Sequence, residues 1–162
     1  MLLRKIRILG ILAAGALLAI ISLAWIYFFD VTVKSGVNWL YGALFFGLIG
    51  GGLTIYSGYA SSDEEKILSS ILLGVSLLLC VGLIVFLFQA NVNDTLLKAA
   101  KKNGGLKAFN ALNIISIVIS FICTALIAGG LGLDIFAKVQ SRIMDKQIEE
   151  NNLIDNNLTE NN

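Results

Sequence analysis

The chain has 162 residues, of which 57% are hydrophobic and 14% are charged, and its formal net charge is +1. Because about a quarter of the residues of a soluble domain are charged, this composition indicates a membrane protein. The near-balanced charge offers no basic face for nucleic acid, and the absence of histidine removes the commonest metal ligand and general base.

Four apolar runs, roughly residues 6–29, 37–60, 67–90 and 109–133, dominate the first 133 residues. Each run is longer than the roughly 20 residues that a helix needs to cross the hydrocarbon core. The short links after the first and second runs favour antiparallel neighbours. The sequence therefore predicts an all-α polytopic membrane protein whose residues 1–133 form a four-transmembrane-helix antiparallel bundle.

Basic residues at the N-terminus, Arg4, Lys5 and Arg7, precede the first run. That run is longer than the apolar part of a secretory signal and has no convincing cleavage site, so we expect a retained first span. If both termini are inside, seven lysines and arginines lie inside and five outside. We therefore expect a multi-pass protein of the cell membrane with both termini cytoplasmic.

Small and hydroxyl-bearing residues follow one edge of the second predicted span and recur on the fourth. At such an edge two helices can approach closely, so we predict helix-packing residues there. The alternative is that the two edges line a narrow pathway or a lipid-binding groove. The residues are Ala43, Gly47, Gly50, Thr54 and Ser57 on the second span and Asn113, Ser116, Ser120 and Thr124 on the fourth.

The connection at residues 91–107 predicts a short amphipathic helix before the fourth span, capped by Asn93 or Asp94. On one side of that helix lie Lys98, Lys101 and Lys102. These lysines either complement the dipole of their own helix or contact lipid head groups. The sequence therefore implies membrane lipid as a partner of this segment.

After Leu133 the composition changes sharply. Residues 134–150 predict a polar cytoplasmic helix, with Ile135, Val139 and Ile143 spaced four apart. Residues 151–162 are rich in asparagine and predict a disordered tail.

The predicted spans contain no ionisable group apart from Arg7 at the edge of the first, and Cys80 and Cys123 lie deep in spans, where a thiol is inert. We therefore expect no catalytic, cofactor or metal site and no enzyme. The favoured function is an accessory or scaffold subunit that packs with itself or with other membrane proteins. A passive transporter or channel subunit is the alternative, and a membrane-surface enzyme using Asp63, Glu64 and Glu65 is the second alternative.

Overall fold

The computed structural model describes residues 2–28, 42, 44–60, 67–102 and 104–160, and these residues are helical with few exceptions and contain no strand. Helix α1 is Leu2–Phe28. A π-helical segment, Leu44–Ile49, runs directly into α2, Gly50–Ala60. Helix α3 is Ile67–Val92, α4 is Asp94–Lys102 and α5 is Leu106–Glu160. The prediction of an all-helical fold is confirmed.

Three helices in the described ranges are long and apolar enough to cross a membrane. They cover Arg4–Phe28, Ile67–Val92 and the apolar part of Leu106–Leu153. These helices are consistent with a multi-pass membrane protein, the class that the composition indicates. The second predicted span, residues 37–60, lies partly outside the described residues, and its described part is Gly42 together with Leu44–Ala60.

The helices pack as a bundle in which α2 contacts α1 and α3, and α5 contacts the same two helices. Helix α3 shows how the sequence produces this packing. Its buried residues recur at intervals of three and four, which places them on one side of a helix, while Leu78 and Val85 on the other side are exposed. The buried set is Ser69, Leu73, Ser76, Cys80, Leu83, Leu87 and Ala90.

Helix α4 closes one end of the bundle. Asn93 caps it, since its Oδ1 accepts hydrogen bonds from the backbone N–H groups of Thr95 and Leu96, each 3.1 Å long. Gly104 follows its last turn with a φ of 70°, a conformation that favours glycine. The turn brings the chain directly into α5.

Helix α5 is unbroken from Leu106 to Glu160. It therefore joins the fourth predicted span, the predicted polar helix and most of the tail in one element. Residues 151–160, for which the asparagine-rich sequence predicts disorder, are helical in the structure. No proline or glycine follows Gly132, so the sequence after that residue contains no strong helix breaker.

Candidate functional site

Three charged side chains meet at one end of the bundle: Arg7 from α1, and Asp134 and Lys138 from α5. The Nζ atom of Lys138 lies 2.8 Å from Asp134 Oδ2, and Arg7 Nη1 lies 3.4 Å from Asp134 Oδ1. The side chains of Arg7 and Asp134 are only 7% and 4% exposed. A buried carboxylate is costly unless it is paired, and here two cations pair it.

Two hydroxyl groups from the first turn of α3 complete this site. Ser69 Oγ donates to Asp134 Oδ2 over 3.3 Å, and Ser70 Oγ donates to the same oxygen. Lys138 Nζ in turn donates to the hydroxyls of Ser69 and Ser70 over 3.1 and 2.7 Å. We call Arg7, Ser69, Ser70, Asp134 and Lys138 the ionic cluster. It connects α1, α3 and α5 through polar contacts at a single level of the bundle.

The sequence pattern does not indicate the ionic cluster, because Asp134 is the first residue of a polar segment and is expected to be exposed. Arg7 lies near the start of the first apolar run and Asp134 directly follows the last one. If these two runs are antiparallel, the two residues lie at the same end and the same depth. Their opposite charges are the signal in the sequence that predicts the pair.

The predicted edge on the second span is buried wherever the structure describes it. The Cβ that an alanine would add at Gly47 would lie 2.5 Å from Ser22 Cβ, whereas at Gly50 it would lie 3.4 Å from Leu79 Cβ, an ordinary contact. Thr54 and Ser57 are fully buried. Ala43 lies outside the described residues.

The hydroxyls of that edge satisfy backbone groups. Thr54 Oγ1 donates to the carbonyl oxygen of Gly50 over 2.7 Å, within the same helix. Ser57 Oγ donates to the carbonyl oxygen of Ser69 over 3.0 Å, which connects α2 to α3 beside the ionic cluster.

A close approach between α1 and α2 involves Gly15 and Gly51, which lie outside the predicted edge of small residues. A Cβ at Gly15 would lie 2.9 Å from the carbonyl oxygen of Gly51, and a Cβ at Gly51 would lie 2.8 Å from that of Gly15. Real side chains do not reach such distances from backbone atoms without a shift of the helices. The glycines thus allow direct contact between two backbones.

The predicted polar residues of the fourth span face α1 and α3. Trp25 Nε1 donates to Ser116 Oγ over 2.9 Å, and Asn113 Nδ2 donates to the carbonyl oxygen of Leu87 over 3.2 Å and to Asn91 Oδ1 over 2.9 Å. Thr124 Oγ1 donates to the carbonyl oxygen of its own helix at Ser120 over 2.7 Å, and it also lies 3.3 Å from Cys80 Sγ. These contacts join α5 to both neighbours.

Three buried side-chain atoms of the described residues have no hydrogen-bond partner: Arg7 Nε, Asn113 Oδ1 and Ser120 Oγ. Buried polar atoms are normally satisfied, and ordered water is a common partner when protein groups are not. The atoms of Asn113 and Ser120 both belong to the polar side of α5. This side therefore has hydrogen-bonding capacity that the protein itself does not use.

Lys98, Lys101 and Lys102 lie exposed on α4, whereas Leu96 and Ala100 of the same helix are buried in the bundle. Helix α4 follows the last turn of α3, and the ionic cluster lies at the first turn of α3. The lysines and the cluster are therefore at opposite ends of a helix about 39 Å long. The acidic residues Asp63, Glu64 and Glu65 lie outside the described residues.

In the described residues there is no group of three histidine, cysteine or acidic side chains able to hold a metal ion. Cys80 and Cys123 are buried free thiols. Comparisons with protein-family models, with curated proteins and with solved structures find no match to this chain. Function is therefore argued from the ionic cluster, the packing contacts and the exposed surfaces.

Proposed function

We propose that this chain is a non-enzymatic integral membrane protein that acts by helix packing as an accessory or scaffold subunit of a membrane complex. The observation that carries the proposal is the continuity of α5, which passes from the bundle interior to Glu160 without a break. The ionic cluster supports it, because the cluster holds α5 where the helix leaves the bundle.

The cluster gives the exposed part of α5 a defined direction. Lys138 is one turn beyond Asp134, and both contact the hydroxyls at the start of α3. Polar contacts of α5 with the bundle are thus made on two successive turns at this end. Residues 135–160, which we call the extension, would then project as a helix of about 39 Å.

The extension offers a surface for a partner protein. Ile135, Phe136, Val139 and Ile143 are between 48% and 65% exposed and lie on one side of the helix. Single exposed apolar residues are ordinary, but a row of them on one helix face is the pattern by which a helix binds another helix. The partner we propose is a helical segment of another membrane protein.

We further propose that the bundle has four antiparallel spans, with α2 and the residues before it forming the second. The contacts along α1 support this arrangement, because Gly47 meets Ser22, Gly51 meets Gly15 and Gly58 meets Ile11. Rising numbers on one element therefore match falling numbers on the other. Both termini would then lie on the same side of the membrane, and we propose the cytoplasmic side.

The test is the size of the assembly after mild detergent extraction from native membranes. Val139→Glu with Ile143→Glu should convert the wild-type assembly into a smaller species, because two carboxylates would enter the apolar contact. Ser141→Glu with Asn152→Glu adds the same charge on the opposite side of the extension and should leave the size unchanged. A wild-type protein that is extracted as a monomer, with no partner cross-linked to it, would refute the proposal.

A passive transporter or channel subunit is the second candidate. Its support is the pair of buried, unpartnered polar atoms at Asn113 and Ser120, which would suit a path for water or a small solute. Vesicles reconstituted with the protein should then be permeable to water or to a small solute, and Asn113→Leu with Ser120→Ala should reduce that permeability. Vesicles that stay impermeable to water, ions and small solutes would exclude this function.

A further inference from the structure

The second end of the bundle carries four exposed lysines that form no ion pair with the acidic groups of the described residues. They are Lys98, Lys101 and Lys102 of α4 and Lys107 in the first turn of α5, and we call them the lysine cap. None of the four forms an ion pair in the described part of the chain. Asp94 is the only acidic residue between residues 91 and 133. Residues 91–133 therefore carry an excess of positive charge.

The apolar side of α4 faces the protein. Leu96 is 2% exposed and Ala100 is fully buried, and both belong to the same buried cluster as Phe109. The amphipathic helix thus uses its apolar side for packing on the bundle, and the bundle fixes its charged side outward. Packing of α4 on the bundle therefore holds the lysines on the outer surface of the protein.

The surroundings of the lysine cap place it at the depth of the membrane surface. Phe109 lies under α4, with its ring centroid 5.7 Å from that of Trp25 and 6.0 Å from that of Phe28. Tyr27, in the last turn of α1, is 70% exposed. An exposed tyrosine at the end of an apolar helix is typical of the level of the lipid head groups.

Helix stability explains only part of the lysine cap. Lys101 and Lys102 occupy the last turn of α4, where a positive charge is favourable. Lys107 occupies the first turn of α5, which contains no acidic residue, and a positive charge is unfavourable at that end of a helix. A bound anion would reverse this cost and would neutralise the other lysines as well.

We infer that the lysine cap binds the phosphate groups of anionic lipids in the adjacent leaflet. The ligand is of this class because the cap lies at head-group depth, carries net positive charge and has a fixed orientation. The inference holds whichever side of the membrane the cap faces, and it does not depend on the scaffold function.

The experiment compares lipid binding by the full-length protein in nanodiscs of phosphatidylcholine with and without phosphatidylglycerol. Lys101→Gln with Lys107→Gln should lower the enrichment of phosphatidylglycerol around the protein about 25-fold, since each lysine near a charged surface contributes about a fivefold factor. Arg142→Gln with Lys146→Gln removes two exposed cations from the extension and should leave the enrichment unchanged. Equal enrichment in the cap variant and the wild type would overturn the inference.

A second variant separates lipid binding from folding. Lys107→Glu places a favourable charge at the start of α5, so the melting temperature in phosphatidylcholine should rise while the stabilisation by phosphatidylglycerol should fall. A fall in both the melting temperature in phosphatidylcholine and the stabilisation by phosphatidylglycerol would mean that Lys107 has only a structural role. That result would contradict the inference. Soluble glycerol phosphate is the remaining control, and full stabilisation by it without anionic lipid would reject lipid as the source of the phosphate.

Discussion

Asp134 has an environment that its place in the sequence does not suggest. It directly follows an apolar run and begins a polar one, yet its side chain is 4% exposed and lies between Lys138 and Arg7. The serines of α3 supply the remaining hydrogen bonds of one carboxylate oxygen. Asp134 is the only carboxylate among the five residues of the ionic cluster, and it pairs with both cations of the cluster.

Replacement of Asp134 by asparagine should destabilise the bundle strongly. The change removes the carboxylate that pairs with the buried Arg7 and lies beside Lys138, and breaking a buried ion pair from one side costs about 3–5 kcal/mol. The free energy of unfolding in detergent micelles is the measurement. Asp145→Asn removes an exposed carboxylate from the same helix and should change that free energy by less than about 0.5 kcal/mol. Similar losses in the two variants would contradict the importance of the ionic cluster.

At the scale of the elements, the contact between α1 and α2 depends on the absence of side chains. Gly15 and Gly51 bring two backbones together, and Gly47 accommodates Ser22 in the same interface. In lipid, such helices associate by close packing, since the hydrocarbon around them is as apolar as their side chains. Even one added methyl group fits at this contact only if the two helices move apart.

Gly15→Ala should therefore cost about 1–3 kcal/mol, because its Cβ would lie 2.9 Å from the carbonyl oxygen of Gly51 and 3.0 Å from the backbone nitrogen of Ile55. Gly52→Ala is the matched control, since a Cβ at Gly52 meets nothing within 4 Å. That change should be neutral or should stabilise α2 by up to about 1 kcal/mol, because alanine is the better helix former. Unfolding measurements on both variants provide the comparison, and equal effects would reject the close contact of α1 and α2.

For the whole molecule, the number of spans decides whether the extension and the lysine cap lie on the same side of the membrane or on opposite sides. Three helices satisfy the length and apolarity of a span in the described residues. With α2 as an additional span, the extension and the N-terminus share one side and the lysine cap faces the other. Three spans would place the two termini on opposite sides, whereas the contact of Arg7 with Asp134 brings the start of α1 and the exposed part of α5 to one end of the bundle.

Reporter fusions distinguish these topologies. A reporter attached before Met1 and one attached after Asn162 should both be active in the cytoplasm, and one inserted between Gly104 and Gly105 should be active only on the opposite side. Opposite results at the two termini would reject four spans. Termini that both lie outside the cytoplasm would preserve four spans and reverse the orientation.

The class of the molecule and most of its helices follow from local patterns in the sequence. Long runs without charge are local properties, and hydrocarbon requires each such run to satisfy its own backbone as a helix. The two ends of α4 are also set locally. The Asn93 side chain caps its start, and the glycines at 104 and 105 follow its last turn. The end of α5 was not predictable in this way, because asparagine is a poor helix former in isolation but does not stop a helix that is already formed.

Only the tertiary structure decided which residues meet. The small residues at 47, 50, 54 and 57 indicated one edge of a helix, but they did not indicate which helix packs against that edge. That choice, like the contact of Gly15 with Gly51, depends on how the helices are rotated about their axes. The pairing of Arg7 with Asp134 joins residues separated by almost the whole bundle in sequence. Such a contact depends on the rotation and the relative height of two helices, and no local pattern of residues determines either quantity.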